Sequence, residues 1–300
     1  MSVQTSSRPV RSFLKLVTIE HSVFALPFAL LAALSAMDAI GDRVLWPDLS
    51  LIVVAMVGAR TFAMAANRII DRRIDAANPR TAGRELVTGA VSLRTAAIGA
   101  GVSVAVFLVA AAALDPLCLA LAPIAVAPLV IYPYGKRFTD LPHVILGVAQ
   151  AVAPIGAWVA VTGSLSRPAP GPALWLALAV GTWIGGFDLI YASQDIESDR
   201  RNGVRSTPAR FGLRASLLAS RAAHVVTIAA LIGYGMAVSA SPWWWVGVAA
   251  TAGAFTYEHS IVRPDDLSRV NRAFFTVNGA VGLVLMVFGV LDLAARGLAA

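Results

Sequence analysis

The chain predicts an all-α, polytopic membrane protein of nine transmembrane helices. Three observations carry this expectation. Of its 300 residues, 58% are hydrophobic and 14% charged, with a mean hydropathy of +0.73, outside the range of soluble domains. Apolar runs of about 20 residues, enough to cross the hydrocarbon core as helix, recur from end to end. Lys and Arg gather in alternate connections between those runs.

In order, the spans fall near 22–40, 50–70, 93–113, 116–134, 142–162, 172–192, 214–238, 242–260 and 273–294. The first follows Arg11 and Lys15 and has the outline of a signal peptide. Glu20 and His21 at its start and Pro27 inside it favour an uncleaved span. The second and sixth spans turn polar at their C-terminal ends. Pro123, Pro128 and Pro133 lie in the fourth span, Pro154 in the fifth, and Gly181, Gly185 and Gly186 in the sixth. Membrane helices tolerate such residues because neighbours satisfy the freed backbone groups; the same residues would also shape a cavity. The longest connections, about 71–92 and 195–213, follow the second and sixth spans, and no soluble domain is expected. Residues 1–300 form one integral membrane domain, in which spans one to four and five to eight suggest a parallel repeat with the ninth appended.

Arg8, Arg11 and Lys15, then Arg68 to Arg94, Lys136 and Arg137, Arg200 to Arg221, and Arg263 to Arg272 bring twenty of the 24 basic residues to one side. The positive-inside rule makes that side cytoplasmic, with the N-terminus and both long connections on it. The net charge of +7 therefore reports topology and contact with anionic membrane lipid, not nucleic acid. No protein partner is evident. The single cysteine, Cys118, lies inside a span and excludes an intramolecular disulfide. Trp243, Trp244 and Trp245 suit the external aromatic belt.

Two acidic clusters end the second and sixth spans: Asn67-x-x-x-Asp71-x-x-x-Asp75, and Tyr191-x-x-Gln194-Asp195-x-x-x-Asp199 with Asp188 one turn before. Positions four apart share a helix face, where like charges repel unless a cation lies between them. Carboxylate oxygens are ligands that Mg²⁺ prefers, usually together with substrate phosphates. Asn67, Asp71, Asp75, Asp195 and Asp199 are thus candidate metal ligands, beside an apolar interior that suits the tail of a long-chain diphosphate. Glu197 points off that face. Arg84, Lys136 and Arg205 are placed to neutralise phosphate oxygens. Arg60 lies mid-span on the face of Asn67, where a charge requires a polar cavity or a partner such as Asp188. His21 borders the first span and is placed to meet an aromatic substrate; His21, His143, His224 and His259 show no metal-ligand spacing.

These paired motifs resemble those of the UbiA-type membrane prenyltransferases, and the likeness extends over about residues 11–292. It implies a nine-helix bundle whose central cavity opens toward the cytoplasm under the two long loops. It also implies Mg²⁺-dependent transfer of a polyprenyl group from its diphosphate to an aromatic acid in the bacterial inner membrane. The runs Glu20-His21-Ser22-Val23-Phe24-Ala25-Leu26-Pro27-Phe28, Asn67 to Asp75 followed by Asn78-Pro79-Arg80-Thr81, and Tyr191-Ala192-Ser193-Gln194-Asp195 resemble menaquinone-pathway members of the futalosine route. The expected acceptor is therefore 1,4-dihydroxy-6-naphthoate, with 4-hydroxybenzoate of ubiquinone biosynthesis as the rival. Glu20-His21 and Gln194 depart from the Arg-Pro pair and Lys of many ubiquinone-branch members. On this reading Asp71, Asp195 and Asp188 serve catalysis, while Arg60, His21 and Tyr191 hold the acceptor. A transporter is the alternative of another class, since intramembrane Arg and Asp also mark ion pathways; it predicts polar residues on both sides of the midplane, whereas here they crowd one side.

Overall fold

The computed structural model describes Leu16, residues 24–41 and residues 43–298. His21, Glu20 and the basic residues Arg8, Arg11 and Lys15 lie outside the described residues. The described chain is helical, with one isolated bridge between Arg263 and Asp266. Long helices are α1 (Leu26–Ala39), α2 (Trp46–Ile70), α5 (Leu93–Leu114), α6 (Pro116–Phe138), α7 (Pro142–Thr162), α8 (Gly171–Ala192), α11 (Leu213–Ala237), α12 (Pro242–Ile261) and α13 (Asn278–Arg296). Short helices α3 (Arg72–Ala77) and α4 (Glu85–Thr88) follow α2, and α9 (Ile196–Asn202) and α10 (Thr207–Phe211) follow α8.

Among the described residues, seven helices are long and apolar enough to cross a membrane, against the nine spans expected. The two that differ are α1, with 14 residues, and α12, whose Trp, Gly and Thr content and Glu258-His259 end lower its hydropathy. Large apolar side chains such as Val109, Leu218, Val225 and Met236 stand exposed on the bundle's outside. With no water to satisfy backbone groups in lipid, helices that bond internally are what such a surface can coat. The protein is an integral membrane protein.

Prolines start α1, α2, α6, α7 and α12, where a missing N–H costs nothing. Asp115 caps α6 by accepting from Leu117 N at 2.7 Å, and Ser92 caps α5 through Thr95 N at 3.0 Å. The main core joins α1, α7, α8, α11, α12 and α13 around Phe28, Trp158, Trp183 and Tyr234. Trp244 is fully buried in it and donates to Leu231 O at 3.0 Å, so of the three tryptophans only Trp243 and Trp245 are exposed. Helix α2 packs most extensively on α5, and α8 on α11 and α7. Helices α7 and α8 approach so closely that a Cβ on Gly147 would lie 2.5 Å from Gly181 O. This is the small-residue contact by which membrane helices gain packing.

The acid motifs do not continue their helices. Helix α2 ends at Asp71 with φ −90° and ψ 4°, and α8 passes through a short 3₁₀ turn, Ser193–Asp195, to a break at Asp195 with φ −102° and ψ 3°. Both residues occupy the sparsely populated bridge region, where active-site residues are often found. Neither break has a Gly or Pro to announce it. The expectation of one uninterrupted acidic helix face is corrected accordingly, although Asp75 N still donates to Asp71 O at 2.8 Å.

Candidate active site

The breaks at Asp71 and Asp195 bring the α2–α5 and α8–α11 connections together at one end of the bundle. Asn78 and Arg80, from the loop after α3, cross to the other motif: Asn78 Nδ2 donates to Asp195 Oδ1 at 2.8 Å. Arg80 grips both Asp195 oxygens at 2.8 and 2.5 Å. It also donates to the Tyr191 hydroxyl at 2.9 Å and lies 4.9 Å over that ring. Burial opposes the Arg80 charge, yet the hydrogen bond to Asp195 and the nearby Tyr191, Asp195 and Asp75 together outweigh it and raise the guanidinium's pKa. Asn202 Nδ2 donates to Ala77 O at 3.4 Å, and Arg205 N to Lys136 O at 2.9 Å, adding α6 to the junction.

Every motif carboxylate has a partner. Asp71, fully buried, meets Lys136 and Arg137 at 3.1 Å each. Asp75 meets Arg84 at 2.5 Å, and Asp199 accepts from Ser206 Oγ at 2.7 Å. The like-charge repulsion expected along each helix is thus relieved at Asp71, Asp75 and Asp195 by basic side chains reaching in from neighbouring segments, while Asp199 is met by a hydroxyl. Among the described residues no ready-made group of three or more His, Cys, Asp or Glu side chains could hold a metal ion. The donor chemistry nevertheless suits a hard divalent cation: carboxylate and amide oxygens of Asn67, Asp71, Asp75, Asp195 and Asp199. A cation taking those oxygens must exchange with the Arg and Lys groups now on them.

Below this junction lies a cavity of about 780 Å³ between α2, α6, α7 and α8. Asn67, Arg84, Lys136, Tyr191, Asp195 and Asp199 line its polar end; Arg60, Tyr132 and Asp188 lie deeper; Leu114, Leu121 and Leu165 line the apolar end. Asp71 and Asp75 do not reach its wall, because their cationic partners cover them. Phe187, Phe274 and Phe275 complete an aromatic side, with the Tyr191 and Phe274 rings tilted at 33° and their centroids 4.2 Å apart. A π turn at Arg272–Val277 projects Phe274 and Phe275. Asn278 supports it by donating to Ala273 O and Glu258 Oε1 at 2.9 Å each and accepting from Trp183 Nε1 at 2.6 Å.

Arg60 faces the cavity, and its Nε is buried without a hydrogen-bond partner. Asp188 is not its ion-pair partner; Asp188 pairs with His143 Nδ1 at 2.7 Å. Arg205, expected near phosphate, is absent from the cavity wall. It forms a bidentate pair with Asp140 at 2.9 Å and donates to Phe138 O at 2.9 Å. The hydrogen bonds from Arg205 hold the Asp140 carboxyl below the usual carboxylate range. Ser206, not Arg205, turns inward at the start of α10. Glu197 is exposed, as its helical offset predicts. Sequence reasoning gave no role to Asn78, Arg80, Tyr132 or His143; the only signal for the first two was their place in the Asn78-Pro79-Arg80-Thr81 run.

Fold and site together define an integral membrane prenyltransferase. The chain belongs to the UbiA prenyltransferase family, whose model matches residues 25–280. It is 34% identical over 255 residues to the 4-hydroxybenzoate octaprenyltransferase of Aromatoleum aromaticum, covering 83% of this chain and 84% of that one. The enzyme of the same name from Alkalilimnicola ehrlichii is 32% identical over 244 residues, covering 80% and 81%. Among solved structures, the apo form of a UbiA homolog from Aeropyrum pernix K1 matches with a TM-score of 0.82 and 35% identity, over 91% of this chain and 98% of that one. A UbiA homolog from Archaeoglobus fulgidus, solved with DMAPP and Mg²⁺, shares the fold with a TM-score of 0.71 at 18% identity, over 94% and 99%.

Proposed function

We propose that this prenyltransferase joins a polyprenyl group from its diphosphate to a ring carbon of an aromatic hydroxy acid, with 4-hydroxybenzoate as the acceptor. The observation that carries the reading is the layering of the cavity: acidic motifs and cations at its mouth, Arg60 deeper in with its Nε unbonded among the described residues, and an apolar end beyond. The names of the relatives favour 4-hydroxybenzoate over the 1,4-dihydroxy-6-naphthoate expected from the sequence. The naphthoate remains the second reading, on Glu20-His21 and Gln194.

Asn67, Asp71 and Asp75 on one side and Asp195 and Asp199 on the other would hold Mg²⁺, whose charge makes diphosphate a better leaving group. Arg80, Arg84 and Lys136, exchanged off those carboxylates, then grip phosphate oxygens. The allylic C–O bond breaks with its electron pair going to the diphosphate, and ring π electrons form the new C–C bond. Apolar and aromatic walls keep water from the allylic cation. Arg60 pairs with the acceptor carboxylate beside Tyr191, and the tail lies toward Leu114, Leu121 and Leu165. The distribution of Lys and Arg supports a polar end facing the cytoplasm of a bacterial inner membrane, with α1 and α12 completing nine spans. The α2–α5 and α8–α11 pairs support the parallel repeat.

Membranes containing the protein, given one polyprenyl diphosphate with either acid, should prenylate 4-hydroxybenzoate faster. Chelation should stop transfer and added Mg²⁺ restore it, and Asp71→Ala and Asp195→Ala should abolish it in inserted protein. Transfer that survives exhaustive chelation, or a preference for the naphthoate, would overturn the corresponding part of the reading.

A further inference from the structure

Asp188 lies seven residues before Asp195 on α8, as Arg60 lies seven before Asn67 on α2. Each is about 10 Å along its helix from the polar mouth, so the cavity carries a fixed cation and a carboxylate at matching depth. The two oxygens of Asp188 are not equivalent. Oδ2 bonds His143 Nδ1 at 2.7 Å, whereas Oδ1 has no hydrogen-bond partner among the described residues, and Asp188 lines the cavity. His143 is buried, with its Nε2 sealed and unpartnered. A neutral imidazole with its proton on Nδ1 satisfies the carboxylate and leaves only a lone pair on the sealed side.

The position of His143 is built in. It follows Pro142 in the first turn of α7, and the Gly147–Gly181 contact draws α7 onto α8. A Cβ on Gly185 would stand 3.1 Å from His143 O, so the same glycine-lined interface seats the His143 backbone. Tyr132 of α6 and Arg60 of α2 line the same cavity as Asp188.

From this geometry we infer that His143 is a positioning residue: it occupies Oδ2 of Asp188 and aims Oδ1 at the acceptor ring, where Oδ1 takes the proton lost on prenylation. The inference rests on the prenyl-transfer reading above. In the step assigned to Asp188, the C–C bond has formed and the ring carbon carries both hydrogen and prenyl group. That C–H bond breaks, its electron pair restores aromaticity, and the proton moves to Oδ1.

His143→Leu fills the space but donates nothing, whereas His143→Asn keeps an N–H near the position of Nδ1. Losing a hydrogen bond to a charged group should lower kcat about 10- to 100-fold in His143→Leu. His143→Asn should recover a large part of that loss. The Michaelis constant for polyprenyl diphosphate should move little in either variant. With ring-deuterated acceptor, a primary isotope effect should emerge in His143→Leu and shrink again in His143→Asn. That ratio is read within each preparation, so a smaller folded fraction does not alter it. Wild-type enzyme that prenylates no aromatic acid would overturn the functional reading and this inference together. Active wild type with no isotope effect in His143→Leu, or with both variants impaired equally toward both substrates, would overturn the positioning role alone.

Discussion

Arg60 brings a charge into the bundle, and its buried Nε has no hydrogen-bond partner among the described residues. Retaining such a group is costly unless a ligand completes it. Arg60→Lys keeps the charge but loses the planar fork, so the Michaelis constant for the aromatic acid should rise about tenfold or more. The constant for the diphosphate should stay near its wild-type value. Equal weakening of both substrates would instead give Arg60 a structural role rather than acceptor binding. Arg205 gives the contrasting case. Its bond to Asp140 is exposed and lies off the cavity, so Arg205→Ala should leave turnover within about fivefold of wild type; loss of transfer would return Arg205 to the phosphate site. The sequence identifies Arg60 because a mid-span charge is conspicuous. It does not separate Arg205 from Arg80, because both are single arginines in Gly- and Pro-containing connections and only the tertiary junction decides which meets Asp195.

Helix positions were legible because hydropathy alone sets them, and every expected span overlaps a helix. The breaks at Asp71 and Asp195 were not: Asn67-Arg68-Ile69-Ile70-Asp71 and Tyr191-Ala192-Ser193-Gln194-Asp195 keep helical character without a Gly or Pro. The conformation there accompanies the Lys136, Arg137, Arg80 and Asn78 contacts, which are remote in sequence. Contact between α7 and α8 was readable only as glycines whose purpose stayed open. Because a Cβ on Gly181 would lie 2.9 Å from Gly147 O, Gly181→Ala should push these helices apart at a cost of about 1–3 kcal/mol. Thermal unfolding in detergent should report that loss, and turnover should fall as Asp188 leaves His143. Gly101→Ala, where an added Cβ meets nothing within 4 Å, is the control and should be neutral or stabilising by about 1 kcal/mol. Equal stability of the two variants would remove the close approach as a constraint.

Across the whole molecule, charge is divided between the two ends. The mouth of the cavity gathers both acid motifs and most of the Lys and Arg, while the opposite connections hold Arg43, Arg167 and Arg296. Arg296 pairs with Asp38 at 2.6 Å and Asp292 at 3.1 Å. The orientation reading rests on this asymmetry of Lys and Arg: the cationic end should face the cytoplasm. Cys118 is the single cysteine, so a Cys118→Ser background permits a direct test. Arg201→Cys, exposed at the cavity end, should react with a membrane-impermeant maleimide only in inverted vesicles. Ser166→Cys, exposed at the other end, should react only in intact spheroplasts. The reverse pattern would turn the cavity mouth outward, away from the leaflet its basic residues should favour, and the cytoplasmic assignment would fall while the chemistry of the site stood unchanged.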